Sequence, residues 1–436
     1  LEGNPEYMDY YIFREGSTDA PQTNWQSKFG GNAWEYVPRL KKWYLHLFDV
    51  TQADLNWDNP RVRQELKEVI LFWKAKGVKG FRFDVVNLIS KPDIFEDDHK
   101  GDGRRFYTDG PRVHEYLQEL VRDTGIEDMV TVGEMSSTTL DNCIRYSRPE
   151  DRELSMCFNF HHLKVDYRDG DKWKLTEPDL VRLKQLFMEW QEGMERENGW
   201  NAVFWCNHDQ PRAISRFGDD GRYWKESAKM LATVIHMFRG TPYVYQGEEL
   251  GMTNPHYGDI SQYRDVESIN YYRILTERRI TGEKALKVLA ARSRDNGRTP
   301  MQWDGSRYAG FSQGEPWIGI PENHSYINAQ AEAADSGSIL NYYKRLIALR
   351  KEYKVISEGE IEFIYREHPQ VLAYRRSCQG QELVVLANMK ASAADLGEKP
   401  ELEGYRQLIG NYAGAECEQT LEQLKPYECR VYIRTL

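Results

Sequence analysis

The feature that most restricts this chain is a repeated order: an apolar run of strand length that ends on a polar residue, alternating with stretches that carry helical start and stop signals. "PRVRQELKEVILFWKAKG" has a proline at its start and a glycine at its end, and "VKGFRFDVVNLI" follows it. "GPRVHEYLQELVRDTG" leads into "MVTVGEM", "LSMCFNF" into "DLVRLKQLFMEWQEGM", "WNAVFWCNHD" into "ESAKMLATVIHMF", and "TPYVYQGEEL" closes the series. Continuous apolar strands alternating with helices read as a parallel sheet covered by helices. The five strands end on Asp84, Glu134, His161, Asp209 and Glu248. A doubly wound open sheet would place a glycine-rich phosphate loop after its first strand. The sequence has none there, so the expected fold is an α/β (β/α)8 barrel with its active site at the C-terminal ends of the strands.

Five strands do not close a barrel of eight. Residues 1–59 have a different texture, rich in Trp, Tyr, Asn and Gly without a long helical period. They read as the remainder of an irregular subdomain inserted before the fourth barrel strand. Residues 60–356 read as the barrel from its third helix to its eighth, with strands four to eight present and the first three strand-helix units expected to be missing from the chain as given. "SILNYYKRLIALRKEYKVI" is a long amphipathic helix. The runs "EIEFIYRE", "VLAYRRS", "ELVVLANM", "RQLIGNYA" and "RVYIRT" then make residues 357–436 a C-terminal antiparallel β domain.

A formal charge of -10 over 436 residues argues against a general polyanion or nucleic-acid binder, so any anion site must be local. No run approaches the ~20 apolar residues that span a bilayer, and no membrane partner is expected. Cys143, Cys157, Cys206, Cys378, Cys417 and Cys429 are scattered without metal spacing and read as free thiols of a reducing compartment.

The strand period of two puts Arg82 and Asp84 on one face. A guanidinium there favours the charged form of Asp84, as a nucleophile requires. Glu134 has small and apolar strand neighbours, and desolvation favours its protonated form, as a general acid requires. His208 and Asp209 end a third strand. Against the acidic background, "FHHLKVDYRDGDKW" gathers His161, His162, Lys164 and Lys172 at the end of another.

With "GFRFDVVN", "VGEM", "FWCNHDQ" and the upstream "QADLN" (Gln52 to Asn56) in that order, the chain resembles glycoside hydrolase family 13, the α-amylase superfamily. The resemblance implies that Asp84 is the nucleophile, Glu134 the acid/base and Asp209 a second fixed carboxylate bound to sugar hydroxyls, with Arg82 and His208 touching the same sugar. It implies no metal or other cofactor in catalysis. The family's first motif, an Asp and an Asn-His after the third strand, has no counterpart here, nor has the first strand-helix loop where relatives often hold a structural calcium ion. "SRDNGRTPMQWD" resembles the α-glucosidase branch, and there Arg294 and Arg298 are implied to fix the terminal glucose. Val85, after the nucleophile, resembles enzymes of α-1,6 or α-1,1 links. "GEMSSTT", "FHHLKVDYRDGDKW" and "GDGRRFYTDGPRVHEYL" resemble the branch's cytoplasmic phospho-α-glucosidases. The implied substrate is a small phosphorylated disaccharide, trehalose 6-phosphate, split with retention into glucose and glucose 6-phosphate. His161, Lys164 and Lys172 are then assigned to the phosphate, and His162, on the opposite face, to the core. The alternatives are an oligo-1,6-glucosidase or dextran glucosidase acting on isomaltose, and a non-catalytic relative like a transporter heavy chain. The last expects lost carboxylates and an adjoining membrane helix.

Overall fold

The computed structural model describes residues 2–412 and 421–436. Cys417 and the last residue of "RQLIGNYA", Ala413, lie outside them. The contacts divide the chain into two units: residues up to Phe160 with Arg196–Asn201, and His161–Glu195 with Ala202–Leu436.

In the first unit, the segment read as irregular contains a small antiparallel sheet. Its strands β1 (Phe13–Glu15), β2 (Trp34–Val37) and β3 (Lys42–Leu45) pair in the order β1-β3-β2. Strands of three or four residues are too short for an alternating pattern to register. Their signal is cross-strand aromatic pairing instead, Phe13 opposite Tyr44 and Tyr36 opposite Trp43. Trp25, Trp34, Leu45 and Leu47 are buried beneath them, with Leu88 and Tyr107.

The helix Pro60–Ala75 starts where the sequence predicts, with Asn59 accepting from the Arg61 N–H at 2.9 Å. The helix Val113–Thr124 stops at Gly125 in the left-handed conformation. Between and after them run β4 (Gly80–Phe83), β5 (Val130–Glu134) and β6 (Met156–Phe158), parallel and in the order β4-β5-β6. Arg82 pairs with Val132 and Phe83 with Gly133. Asp84, the residue just past β4, is thus level with Glu134 at the end of β5.

In the second unit, β7 (Ala202–Val203) and β8 (Thr241–Pro242) form a parallel pair. They are much shorter than the apolar runs that predict them. Phe204, Trp205 and Cys206 continue as buried chain outside the ladder. The helix Trp224–His236 is buried without interruption from Ser227 to His236. After the helix Ile339–Glu352 comes a five-stranded antiparallel sheet of Glu360–Ile364, Val371–Cys378, Gln381–Asn388, Arg406–Gly410 and Cys429–Thr435. Its register sets Tyr374 opposite Val385 and Val385 opposite Val431, all fully buried. Arg376, also fully buried, spends its donors on the carbonyls of Met237, Ile356 and Gly359. Cys143, Cys157, Cys206, Cys378 and Cys429 are free, and all but Cys378 are buried. Among the described residues, no helix is long and apolar enough to cross a membrane.

Gly103 has φ +90° and lies against Trp25, where an added Cβ would come within 2.3 Å of the indole. Both its conformation and its space exclude a side chain. Gly103→Ala is expected to cost about 2–4 kcal/mol through strain and overpacking, measured by denaturant unfolding. An unchanged midpoint would show that the aromatic cluster of the first unit can repack around it.

Candidate active site

The parallel register of β4 and β5 brings three charged side chains together. Arg82 Nη1 donates to Asp84 Oδ1 at 2.9 Å, and Arg82 Nη2 donates to Glu134 Oε2. One planar guanidinium therefore holds both carboxylates. Their exposures differ: the Glu134 side chain is 16% exposed and that of Asp84 71%. The sequence places Glu134 among apolar neighbours only; the structure also sets the Arg82 guanidinium against it.

Two features fix this edge. Val85 has φ +38° and ψ +38°, a conformation that a β-branched residue rarely adopts and that stores roughly 1–3 kcal/mol of strain. Asn87, fully buried, holds the loop after β4 to the loop after β5: its Oδ1 accepts from the Ser136 N–H at 2.9 Å, and its Nδ2 donates to the Ser136 carbonyl at 2.9 Å and to Asp109 Oδ1 at 3.0 Å. Gly133 is required here because a Cβ would fall 2.4 Å from Met135 Cε and 2.6 Å from Leu154 Cδ1. Asp54 of "QADLN" is a structural residue, accepting from the Leu47 N–H and pairing with Lys91 at 2.8 Å.

The second unit carries a network of alternating charge. Arg298 Nη2 donates to Asp209 Oδ1 at 2.5 Å, and Arg298 Nε donates to the His208 carbonyl at 2.9 Å. Arg294 lies 3.5 Å from the same Asp209 oxygen, 2.5 Å from Asp265 Oδ1 and 3.5 Å from Glu267 Oε2. Glu267 in turn pairs with Lys172 at 2.8 Å. His208 Nε2 sits 3.5 Å from Asp209 Oδ2. Asp209, Arg294, Arg298 and Lys172, each singled out from sequence, thus form one connected group. Asp265 and Glu267, which complete it, were not singled out. Their signal is a helix start: Asp265 caps Val266–Glu277 by accepting from the Ser268 N–H. Two arginines in "SRDNGR" also imply carboxylates elsewhere to hold them.

The basic stretch divides. His161 stacks on Trp190 with ring centroids 5.0 Å apart, and Lys164 is exposed on the 3-10 turn His161–Lys164. Lys172, besides pairing with Glu267, lies 4.7 Å from the Trp173 ring centre. His162 is a core residue as expected: it is buried, its Nε2 is 2.8 Å from the Phe204 carbonyl, and burial pushes its pKa down to about 3. Asp166, within the same stretch and unremarked in the sequence, is 1% exposed. Arg216 holds it at 2.9 and 2.8 Å, and Arg292 pairs with it as well.

One strand-end residue departs from the pattern. Glu248 does not join the charged network. It is half-buried, its Oε1 accepts from Tyr343 Oη at 2.8 Å, and burial of the carboxyl pushes its pKa up to about 7.

Burial raises the Asp265 pKa, but Arg294, the Ser268 N–H and Arg298 outweigh it and hold the carboxyl below its ordinary range. A depressed carboxyl contributes stability above its unfolded pKa of about 3.9, lost as pH falls through the folded value. Asp265→Asn is therefore expected to cost about 3 kcal/mol at neutral pH, where Arg294 loses a buried partner. The deficit against wild type should shrink toward zero in acid, once the pH has fallen through that lower folded value. Denaturant unfolding of both proteins at the two pH values checks this, and an equal deficit at both would show that the carboxylate charge is not what holds the arginines.

A family model described as alpha amylase, catalytic domain, matches residues 2–359. The trehalose-6-phosphate hydrolase of Escherichia coli (strain K12) is 51% identical over 430 residues, covering 98% of this chain and 78% of that protein. The oligo-1,6-glucosidase of Parageobacillus thermoglucosidasius is 44% identical, with 98% and 78% covered. A crystal structure of Bacillus licheniformis trehalose-6-phosphate hydrolase superposes with a TM-score of 0.95 at 52% identity, covering 98% of this chain and 78% of that one. The parallel strands β4 to β8 are thus barrel strands of the α-amylase catalytic fold, followed by its C-terminal antiparallel sheet, and the chain belongs to the α-amylase family.

Proposed function

We propose that the protein is a retaining α-glucoside hydrolase that cleaves trehalose 6-phosphate to glucose and glucose 6-phosphate. The observation that carries the chemistry is the pair of carboxylates held on one guanidinium at adjacent strand ends, Asp84 and Glu134 on Arg82. Asp84, the more open of the two, attacks the anomeric carbon. Glu134, the better shielded, gives its proton to the departing oxygen, which leaves as glucose 6-phosphate. Glu134 then takes a proton from water, and the resulting hydroxide displaces Asp84 from the glycosyl-aspartate, releasing glucose. Two displacements at one carbon restore its configuration. Asp209, with Arg294, Arg298 and His208 around it, binds the hydroxyls of the glucosyl unit as positive charge develops there. No step calls on a metal.

The substrate assignment rests on relatives about half identical along nearly the whole chain that bear this activity in their names. His161, Lys164 and Lys172 are assigned to the 6-phosphate. Lys172 reaches it from its pairing with Glu267, so the dianion competes with a carboxylate for an ammonium already in place. Val85 also suits the α-1,6 link of isomaltose, and a relative of that activity is 44% identical. A charged disaccharide does not cross a bilayer unaided, which supports a cytoplasmic site for the reaction.

The test compares kcat/KM for trehalose 6-phosphate and for isomaltose. The expected result is a strong preference for the phosphorylated sugar. K164A/K172A should lose about 3–5 kcal/mol toward it, from two charge-assisted contacts, and little toward a neutral aryl α-glucoside. A preference for isomaltose would replace the substrate and leave the carboxylates in their roles. Equal losses on both substrates would remove the lysines from the phosphate site.

A further inference from the structure

Arg212 closes the run "NHDQPR" and is 2% exposed. Its hydrogen-bond partners are neutral, and the Glu248 and Glu249 carboxyls act on its charge only through space. Nη1 donates to the Gln246 carbonyl at 2.6 Å and Nη2 to Thr299 Oγ1 at 3.2 Å, while the guanidinium lies 5.3 Å from the Tyr245 ring centre. Its backbone N–H donates to Asn254 Oδ1 at 2.9 Å. Burying a guanidinium on neutral acceptors is unfavourable, and burial draws its pKa down. A methionine of similar reach would fill the same space without that penalty, so packing alone does not account for the charge.

What the charge obtains is a tie among three loops of the second unit. Arg212 is on the loop that carries His208 and Asp209. Gln246 is on the loop after β8. Thr299 follows Arg298, the residue that grips Asp209 at 2.5 Å. The same three loops are fastened again nearby. Tyr245 Oη donates to the Gly297 carbonyl at 2.7 Å. Gly297 packs so closely on the Asp209 loop that a Cβ would fall 2.6 Å from the Gln210 carbonyl oxygen and 3.1 Å from that of Asn207. Asn254 Nδ2 and Asn296 Nδ2 both donate to the Ala290 carbonyl, at 3.1 and 2.9 Å. Arg212 is the side chain in this set that reaches two of the loops from the third.

We propose that Arg212 is a positioning residue for the glucosyl site: by pinning the loop of Asp209 to Gln246 and Thr299, it sets the place of Asp209 and Arg298 against the sugar. The inference rests on the α-glucosidase reading of the site. Because it acts through Arg298 and Asp209, its effect must vanish once that contact is gone, whereas a general loss of packing multiplies with any other defect.

The experiment is a mutant cycle of wild type, R212M, R298A and R212M/R298A, assayed on p-nitrophenyl α-glucoside, with R212K as the conservative variant. R212M is expected to lower kcat by about 10²-fold, the scale of a misplacement near 1 Å, with KM little changed. R212K should recover a large part of it. The double variant should match R298A within about twofold. Should R212M fail to fold, the cycle of R212Q with R298A carries the same comparison. Losses that multiply in an active wild-type background overturn the role of Arg212 alone. A wild type inactive on every α-glucoside overturns the glucosidase reading and this inference with it.

Discussion

Arg82 is the residue on which the chemistry proposed for the first unit depends. Two carboxylates level with each other at the ends of adjacent parallel strands repel, and Arg82, in contact with both, offsets that repulsion. The register that sets Arg82 beside Val132 puts the guanidinium where it can face both. The rest of that edge defends the arrangement: Gly133 admits Met135 and Leu154, Asn87 ties the two following loops together, and Val85 is forced to a left-handed backbone just past Asp84. Strain at a β-branched residue persists only where the surroundings over-determine it, and here the loop it begins is buried from Val86 to Leu88.

The second unit meets a similar problem with more members. Asp209, Asp265 and Glu267 alternate with Arg294, Arg298 and Lys172. Every charge touches an opposite one, so removing any member strands a partly buried neighbour. Such a group is rigid because its parts are interdependent. Rigidity is what a carboxylate needs if it is to stabilise charge that appears only in the transition state. Deeper in the same unit, Asp166 between Arg216 and Arg292 applies the same rule to anchor the basic stretch.

Helices with a proline or capping start and a glycine stop could be read within a residue or two, as with Pro60–Ala75 and Val113–Thr124, because the signals are local. The C-terminal sheet was equally legible, since its strands are long enough to alternate. The candidate catalytic carboxylates stood out because strand ends are marked in the chain. What escaped was set by partners remote in sequence. Lys172 looks like a free basic residue until Glu267, 95 residues on, is placed against it. Asp265 looks like an ordinary helix cap. Glu248 ends its apolar run just as Asp209 does, yet its carboxyl turns to the Tyr343 hydroxyl. The β1 to β3 sheet was missed because strands of three and four residues carry too little pattern.

Pairing also bears on how an acidic chain can receive a doubly charged sugar. The three cations and three anions of the Asp209 network sum to zero, and the whole chain carries -10, so no long-range field draws a phosphate in. Attraction must be local and exchangeable. An ammonium held by a carboxylate at 2.8 Å is neutral seen from a distance and available at contact, and trading one oxygen acceptor for another costs little desolvation, because the ammonium is already out of bulk water. A lone buried lysine would bind the phosphate more strongly but would be costly to keep charged in its absence. In the proposed phosphate site, Glu267 thus serves the empty state as well: it gives Lys172 a counter-charge and lies beside Arg294, which faces Asp209.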